Sequence, residues 1–256
     1  MNVNQLNVTK NSRLFALGVV VNCGMKNPES AAPMLNSALK SNADILALYF
    51  NIDSRGEISK AAETLKSILA QITKPLMICG CGKPDIDKHL LPELINVLDR
   101  VSIISYAVEE TYKQIVPEVL KGNHYLVLKT PIDINLAKEL NILSIDNGLK
   151  KDKIIMNTDI GGLGYGYEYG YSILEKICIE AGNDEYLNLP VISEAAIEAL
   201  KTKEARMNTQ GENRGSLDER AKMIELAATS GILAAGANII VLTYPDNIGI
   251  LKGMVQ

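Results

Sequence analysis

Ile154-Ile155-Met156-Asn157-Thr158-Asp159-Ile160-Gly161-Gly162-Leu163-Gly164-Tyr165-Gly166-Tyr167-Glu168-Tyr169-Gly170-Tyr171 is a short apolar run, a glycine-rich loop and the start of a segment with helical spacing. A strand that passes through a loop into a helix is one β/α unit, and ligands of such folds gather beyond the C-terminal ends of the strands. The glycines remove side chains that would hold a ligand off the main chain. Tyrosines at every second position from Tyr165 add flat surface with a polar tip. The spacing is not a dinucleotide fingerprint: in Gly164-x-Gly166-x-x-Tyr169 the last position is tyrosine, and no Gly-Lys-Ser/Thr phosphate loop occurs. A tight strand-to-helix turn with packing glycines is the plainer alternative.

Outward from this unit the same alternation repeats. Apolar runs of strand length stand at 14–21, 45–50, 76–79, 101–105, 125–128, 154–156, 189–192 and 239–242. Segments of helical period follow them at 28–40, 60–72, 88–98, 110–120, 136–143, from Tyr167 onward, at 194–205, 218–235 and 246–254. Eight strand-then-helix units in this length predict a (β/α)8 TIM barrel, with a doubly wound open sheet as the alternative. No repeat or low-complexity linker divides the chain, so 1–256 reads as one domain, with a tail over 1–12 and a polar loop insert over 207–217. That loop is a candidate lid or docking segment, or a solvated loop.

Composition narrows the function. The 256 residues are 47% hydrophobic and 5% aromatic with no Trp, and the net charge is −4. That charge argues against a nucleic-acid or anionic-membrane surface. No run is long enough to span a bilayer, and four cysteines without disulfide-like spacing fit reduced thiols, so a cytoplasmic setting is expected.

At the strand ends stand Asn22, Asn51, Asp53, Cys81, Gly82, Glu109, Thr130, Asp133, Asn157, Asp159, Ser193, Glu194 and Tyr244. This mouth is rich in amides and carboxylates and poor in histidine. His89 and His124 are expected away from it, in surface or packing roles. Cys79-Gly80-Cys81 is expected not to converge on a metal, and Cys23 and Cys178 are not placed to complete a four-thiolate cluster, so neither metal nor cluster is expected in this chain. Glu109, Glu110 and Asp133 suit acid–base work, and Glu110 and Asp133 suit helix starts as the alternative. Lys129, ahead of Thr130, stands where a Schiff-base barrel keeps its nucleophile, although no partner nearby would lower its pKa.

Two longer stretches carry a resemblance. Asp159 to Tyr171 (DIGGLGYGYEYGY) and Thr130 to Ile142 (TPIDINLAKELNI) are similar to the small subunit of the corrinoid iron–sulfur protein, a family that includes the delta subunit of the archaeal acetyl-CoA decarbonylase/synthase complex. Cys79 to Gly82, Ala107 to Lys113, Pro190 to Ile192, Lys203 to Ala205 and Ala234 to Ile240 support it in order, and the chain resembles a diverged, shorter member. The resemblance implies a barrel whose mouth caps a corrinoid (cobalamin) held by a larger subunit that also carries the [4Fe–4S] cluster. It implies methyl transfer from methyltetrahydrofolate or a related pterin, through a transiently bound methyltransferase, to acetyl-CoA synthase in the Wood–Ljungdahl pathway, with no catalytic residue in this subunit. The corrinoid-facing candidates are then Asn157, Thr158, Asp159, Gly161, Gly162, Gly164, Tyr165, Asp133, Asn135, Asn51 and Ser193. The chain departs from the family pattern at Asn157 to Gly162, where an Asp-Pro-Thr-Thr-Gly-Ala is usual, and at Ser193 to Ala196, where Cys-Asn-Val-Gly is usual. The alternative is a self-sufficient barrel enzyme. A pterin-binding, methyltransferase-like protein would use Asn51, Asp53, Asn157 and Asp159, and a Schiff-base aldolase would use Lys129.

Overall fold

In a computed structural model the described residues are 6–23, 31–159, 161, 163–207 and 215–255. The strands are β1 (Leu14–Asn22), β2 (Ile45–Asn51), β3 (Leu76–Cys79), β4 (Ile103–Ala107), β5 (Tyr125–Lys129), β6 (Ile154–Asn157), β7 (Ile192–Ser193) and β8 (Ile239–Leu242). They form a parallel sheet in the order β6-β5-β4-β3-β2-β1-β8-β7. A parallel bridge between Met156 and Val191 joins its two ends. The helices are α1 (Ala31–Lys40), α2 (Ile58–Leu69), α3 (Pro84–Ile95), α4 (Tyr112–Lys121), α5 (Ile134–Asp146), α6 (Tyr167–Glu180), α7 (Ala195–Ala199), α8 (Lys203–Arg206), α9 (Leu217–Ala235) and α10 (Pro245–Met254). The fold is a (β/α)8 barrel, as the alternation predicts.

The strands read as near-continuous aliphatic runs because both of their faces are covered. Alternate side chains divide between two cores. Ala16, Ile45, Ala47, Met77, Ile103, Val127, Ile155, Ile192, Ile239 and Val241 fill the barrel interior. Leu46, Leu48, Phe50, Leu76, Ile78, Ile104, Leu126, Leu128 and Ile240 face the helices. The stretch read as a tail is partly structural. Leu6 and Val8 join the interior cluster, and the Tyr125 hydroxyl donates to the Leu6 carbonyl at 3.3 Å.

Several boundaries differ from the sequence reading. β4 runs later than expected, and its register shifts between Ser105 and Ala107. α3 begins at Pro84, since a proline tolerates the first turn, where its missing N–H costs nothing. β7 is shorter and later than 189–192. The helix expected over 194–205 is broken into α7 and α8, because Thr202 takes extended backbone and returns its hydroxyl to the Ala199 carbonyl at 2.7 Å. Most of the polar loop, 208–214, lies outside the described residues, as do Ile160 and Gly162. Among the described residues no helix is long and apolar enough to cross a membrane.

Candidate functional site

Strand periodicity builds the site. Each interior strand position has a successor two residues on, on the same face and nearer the C-terminal mouth. From Ala47, Met77, Val127, Ile155 and Ile192 these successors are Tyr49, Cys79, Lys129, Asn157 and Glu194. The interior changes from aliphatic to polar over this single layer.

Glu194 is its hub. One carboxylate oxygen accepts from the Tyr49 hydroxyl at 2.7 Å, and the other from Asn157 Nδ2 at 3.1 Å, with Lys129 Nζ at 3.5 Å. Its backbone N–H donates to Asp159 Oδ2, while the Ser193 hydroxyl donates to Asp159 Oδ1 at 3.1 Å. The Asp159 N–H in turn donates to Asn157 Oδ1 at 3.0 Å. Lys129 Nζ also lies 4.6 Å from the centre of the Tyr106 ring. The network fastens the ends of β2, β5, β6 and β7 to one another.

Burial and charge set the protonation of this layer. Burial, then the nearby Glu194 charge, outweigh the hydrogen bonds to Asp159 and push its carboxyl up to about 6. Burial also pulls the Lys129 ammonium down, but Glu194, Tyr106 and Asp159 more than offset it, and the amine ends above its ordinary value. Burial and the Glu194 charge raise the Tyr49 phenol and the Cys79 thiol well above theirs. Burial likewise pushes Cys81 up to about 11. Both thiols are therefore protonated near neutrality and are poor nucleophiles.

A cavity of about 420 Å³ opens over this layer, lined among others by Val20, Tyr49, Asn51, Cys79, Cys81, Tyr106, Lys129, Glu194, Ile197 and Lys201. Cys79 and Cys81 both line it, although Cys79 belongs to the interior core and Cys81, beyond the end of β3, packs against the helix-facing one. Among the described residues no three His, Cys, Asp or Glu side chains gather as a metal site. The Gly80–Gly82 turn does not offer its amides to an anion. Asp87 accepts from the Cys81 and Gly82 N–H groups at 2.8 Å each, and a Cβ at Gly80 would run into that carboxylate.

The other expected site residues scatter. Thr158 is buried beside Asn157, with its carbonyl accepting from Ile132 N–H. Asn51 is exposed at the rim and donates to Asn22 at 3.0 Å. Asp53 is exposed and pairs with Lys83 at 3.7 Å. Asp133 caps α5, accepting from the Asn135 and Leu136 N–H groups, and Asn135 is exposed in that helix's first turn. Gly161 packs against the Tyr165 carbonyl, where a Cβ would not fit. Gly164 (φ 78°) and Gly166 (φ 105°) take left-handed backbone, and Gly166 caps α6. Within α6, Tyr167 and Tyr171, one turn apart, pack on the core while Tyr169 is exposed, and Tyr165, ahead of the cap, is exposed as well. His89 is exposed. His124 is buried, with Nδ1 accepting from Ser102 N–H, and burial with Lys153 holds it down at about 4.

Residues 35–254 match the family model of the CO dehydrogenase/acetyl-CoA synthase delta subunit. The chain belongs to this family. The acetyl-CoA decarbonylase/synthase complex subunit delta 1 of Methanosarcina thermophila is 27% identical over 230 residues, covering 85% of this chain and 52% of that protein. The delta subunit of Methanopyrus kandleri is 30% identical over 139 residues, covering 53% and 35%. The chain spans about half the length of the delta subunits it matches. Solved structures with the same fold include a dihydropteroate synthase of Xanthomonas albilineans with 4-aminobenzoic acid, at TM-score 0.66 and 13% identity, covering 96% of this chain and 94% of that one. Another is the Coxiella burnetii dihydropteroate synthase in complex with pteroic acid, at TM-score 0.65 and 15% identity, covering 95% and 94%. At such identities they show the barrel alone.

The position of Glu194 was readable in part. It follows Ile192 by two residues, yet its role rests on contacts with Tyr49, Lys129 and Asn157, all distant in sequence. A tyrosine inside the aliphatic run of β2 was the available signal, because a buried phenol requires a hydrogen-bond partner.

Proposed function

We propose that this delta-family barrel is a scaffold that caps a corrinoid carried by a larger, [4Fe–4S]-bearing subunit. The system it serves would pass a methyl group from methyltetrahydrofolate, or a related pterin, to acetyl-CoA synthase. Family membership supports the setting. One observation carries the role: the Glu194 carboxylate at the centre of the mouth is engaged at once by Tyr49, Asn157 and Lys129. A carboxylate so engaged is a poor general base, and a lysine held protonated beside it is a poor nucleophile. Such a mouth maintains a shape.

The rim supports the fit of a flat macrocycle edged with amides. Asn51 offers a side-chain amide, Tyr165 an exposed ring, and Gly164 open space where a Cβ would stand. A whole corrinoid is far larger than a cavity of this volume, so Asn51, Gly164 and Tyr165 would hold it across the mouth. Its cobalt would supply the methyl-carrying centre. Asn157, Thr158, Asp159 and Ser193 then support the rim from beneath, since all four are buried.

The cavity volume favours one alternative, a small heterocycle such as a pterin bound by the barrel alone, because it falls within the ordinary range for small-molecule sites. Purifying the tagged barrel from its native host distinguishes the two. Capping predicts a larger subunit and about one cobalt per barrel. A barrel that returns without cobalt, yet binds methyltetrahydrofolate by calorimetry, would transfer the site to the pterin.

A further inference from the structure

Beside the mouth a second cavity, of about 320 Å³, lies between the β4–α4 loop and α5. Its walls are apolar, from Val108, Pro131, Leu136 and Leu143, and three carboxylates, Glu109, Glu110 and Glu139, also line it. Among the described residues none of the three carboxylates has an ion-pair partner. Of the neighbouring cations, Lys138 pairs with Asp184, Lys129 with Glu194, and Lys113 lies 5.8 Å from the centre of the Tyr112 ring. Leu136 remains 46% exposed here, although it is a large aliphatic residue. Unpaired acid around an apolar floor is an unusual surface to leave to water.

We propose that this groove docks a basic amphipathic segment of a partner protein, one that presents a lysine or arginine among apolar residues. Both side chains bury an aliphatic stem along apolar surface while holding the cation at its edge. Here the stem would lie on Leu136, Leu143 and Pro131, and the cation would meet Glu109, Glu110 and Glu139. Arginine is the better match, because its guanidinium can bridge two carboxylates and loses less hydration. Lys129 lines both this groove and the mouth cavity, so a segment seated here would border whatever the mouth carries. The proposal is independent of the corrinoid reading and survives if the mouth proves to hold something else.

The test uses the full chain and two synthetic helical peptides of one design, with leucines on one face and either arginines or glutamates beside them. Binding is read by fluorescence anisotropy. The arginine peptide should bind the wild type, weaken with salt, and lose at least tenfold in affinity against both Leu136→Ser and the triple variant Glu109→Gln/Glu110→Gln/Glu139→Gln. A control triple, Glu168→Gln/Glu175→Gln/Glu180→Gln on exposed positions of α6, changes net charge equally and should bind as the wild type does. Equal binding of the glutamate peptide, or equal losses from the two triple variants, would overturn the proposal. So would a concentration-dependent dimer that Leu136→Ser dissolves, since the occupant would then be a second copy. Circular dichroism of each variant verifies that the barrel has folded.

Discussion

The Tyr49 hydroxyl donates to the Glu194 carboxylate at 2.7 Å, tying the end of β2 to the residue that follows β7 across the barrel mouth. Glu194 is 8% exposed in its side chain and Lys129 is 18% exposed, so the mouth is held by a nearly dry, charged cluster. Breaking one member of such a cluster leaves its partners buried and unpaired.

Glu194→Ala is therefore expected to lower stability by about 3 kcal/mol, measured by urea unfolding. Adding Lys129→Met should recover part of that loss, because the uncompensated cation goes with it. A double variant whose loss is the sum of the two single losses would show that the pair is not coupled.

Asp159 predicts a pH signature. Its carboxyl titrates near 6 in the folded barrel and near 3.8 when unfolded, so the native state binds the extra proton between those values. Stability due to this group is highest below about pH 4, falls as pH rises to 6, and is level above, a change of about 3 kcal/mol at most. Asp159→Asn should remove that decline. The quantity to compare is the difference between the two unfolding-versus-pH curves, and parallel curves would contradict the assignment.

Lys129 predicts a negative result with chemical meaning. A protonated amine forms a Schiff base slowly, so incubation with small aldehydes or pyruvate and borohydride near neutral pH should leave the Lys129 peptide unmodified by mass spectrometry. Rapid, selective trapping there would revive the aldolase alternative.

Behind the site, Glu225 on α9 is fully buried and accepts from the Thr243 and Tyr244 N–H groups and from Asn247 Nδ2, fastening the turn after β8. Glu225→Ala should cost about 3 kcal/mol, because three donors lose their acceptor at once. Asp133→Ala, which removes only the α5 cap, should cost about 1 kcal/mol. Equal losses in urea unfolding would contradict this ranking.

The fold was legible because local signals and global architecture agree. Aliphatic runs such as Ile45 to Leu48 and Leu76 to Ile78 are covered on both faces, and the intervening segments carry helical periods. Boundaries were less legible where tertiary contacts decide them. Thr202 interrupts a helix that periodicity continues, and Val191 bridges Met156 from outside its own strand. Of the site, the polar strand ends could be read but not their pairing. Asn157, Asp159 and Ser193 were singled out as surface for a ligand, yet they face Glu194 and one another, since hydrogen bonds between distant strands leave no mark at any single position. Asp133 could be read either as a site residue or as a helix cap, and its two backbone donors show the cap.

The capping role itself is tested by titrating the corrinoid-loaded larger subunit with the barrel and following the visible absorption of the corrinoid. The account predicts a change that saturates at one barrel per corrinoid, and at least tenfold weaker binding for Asn51→Ala/Tyr165→Ala. An absorption spectrum unchanged at every ratio, or a wild-type response from the rim variant, would contradict it.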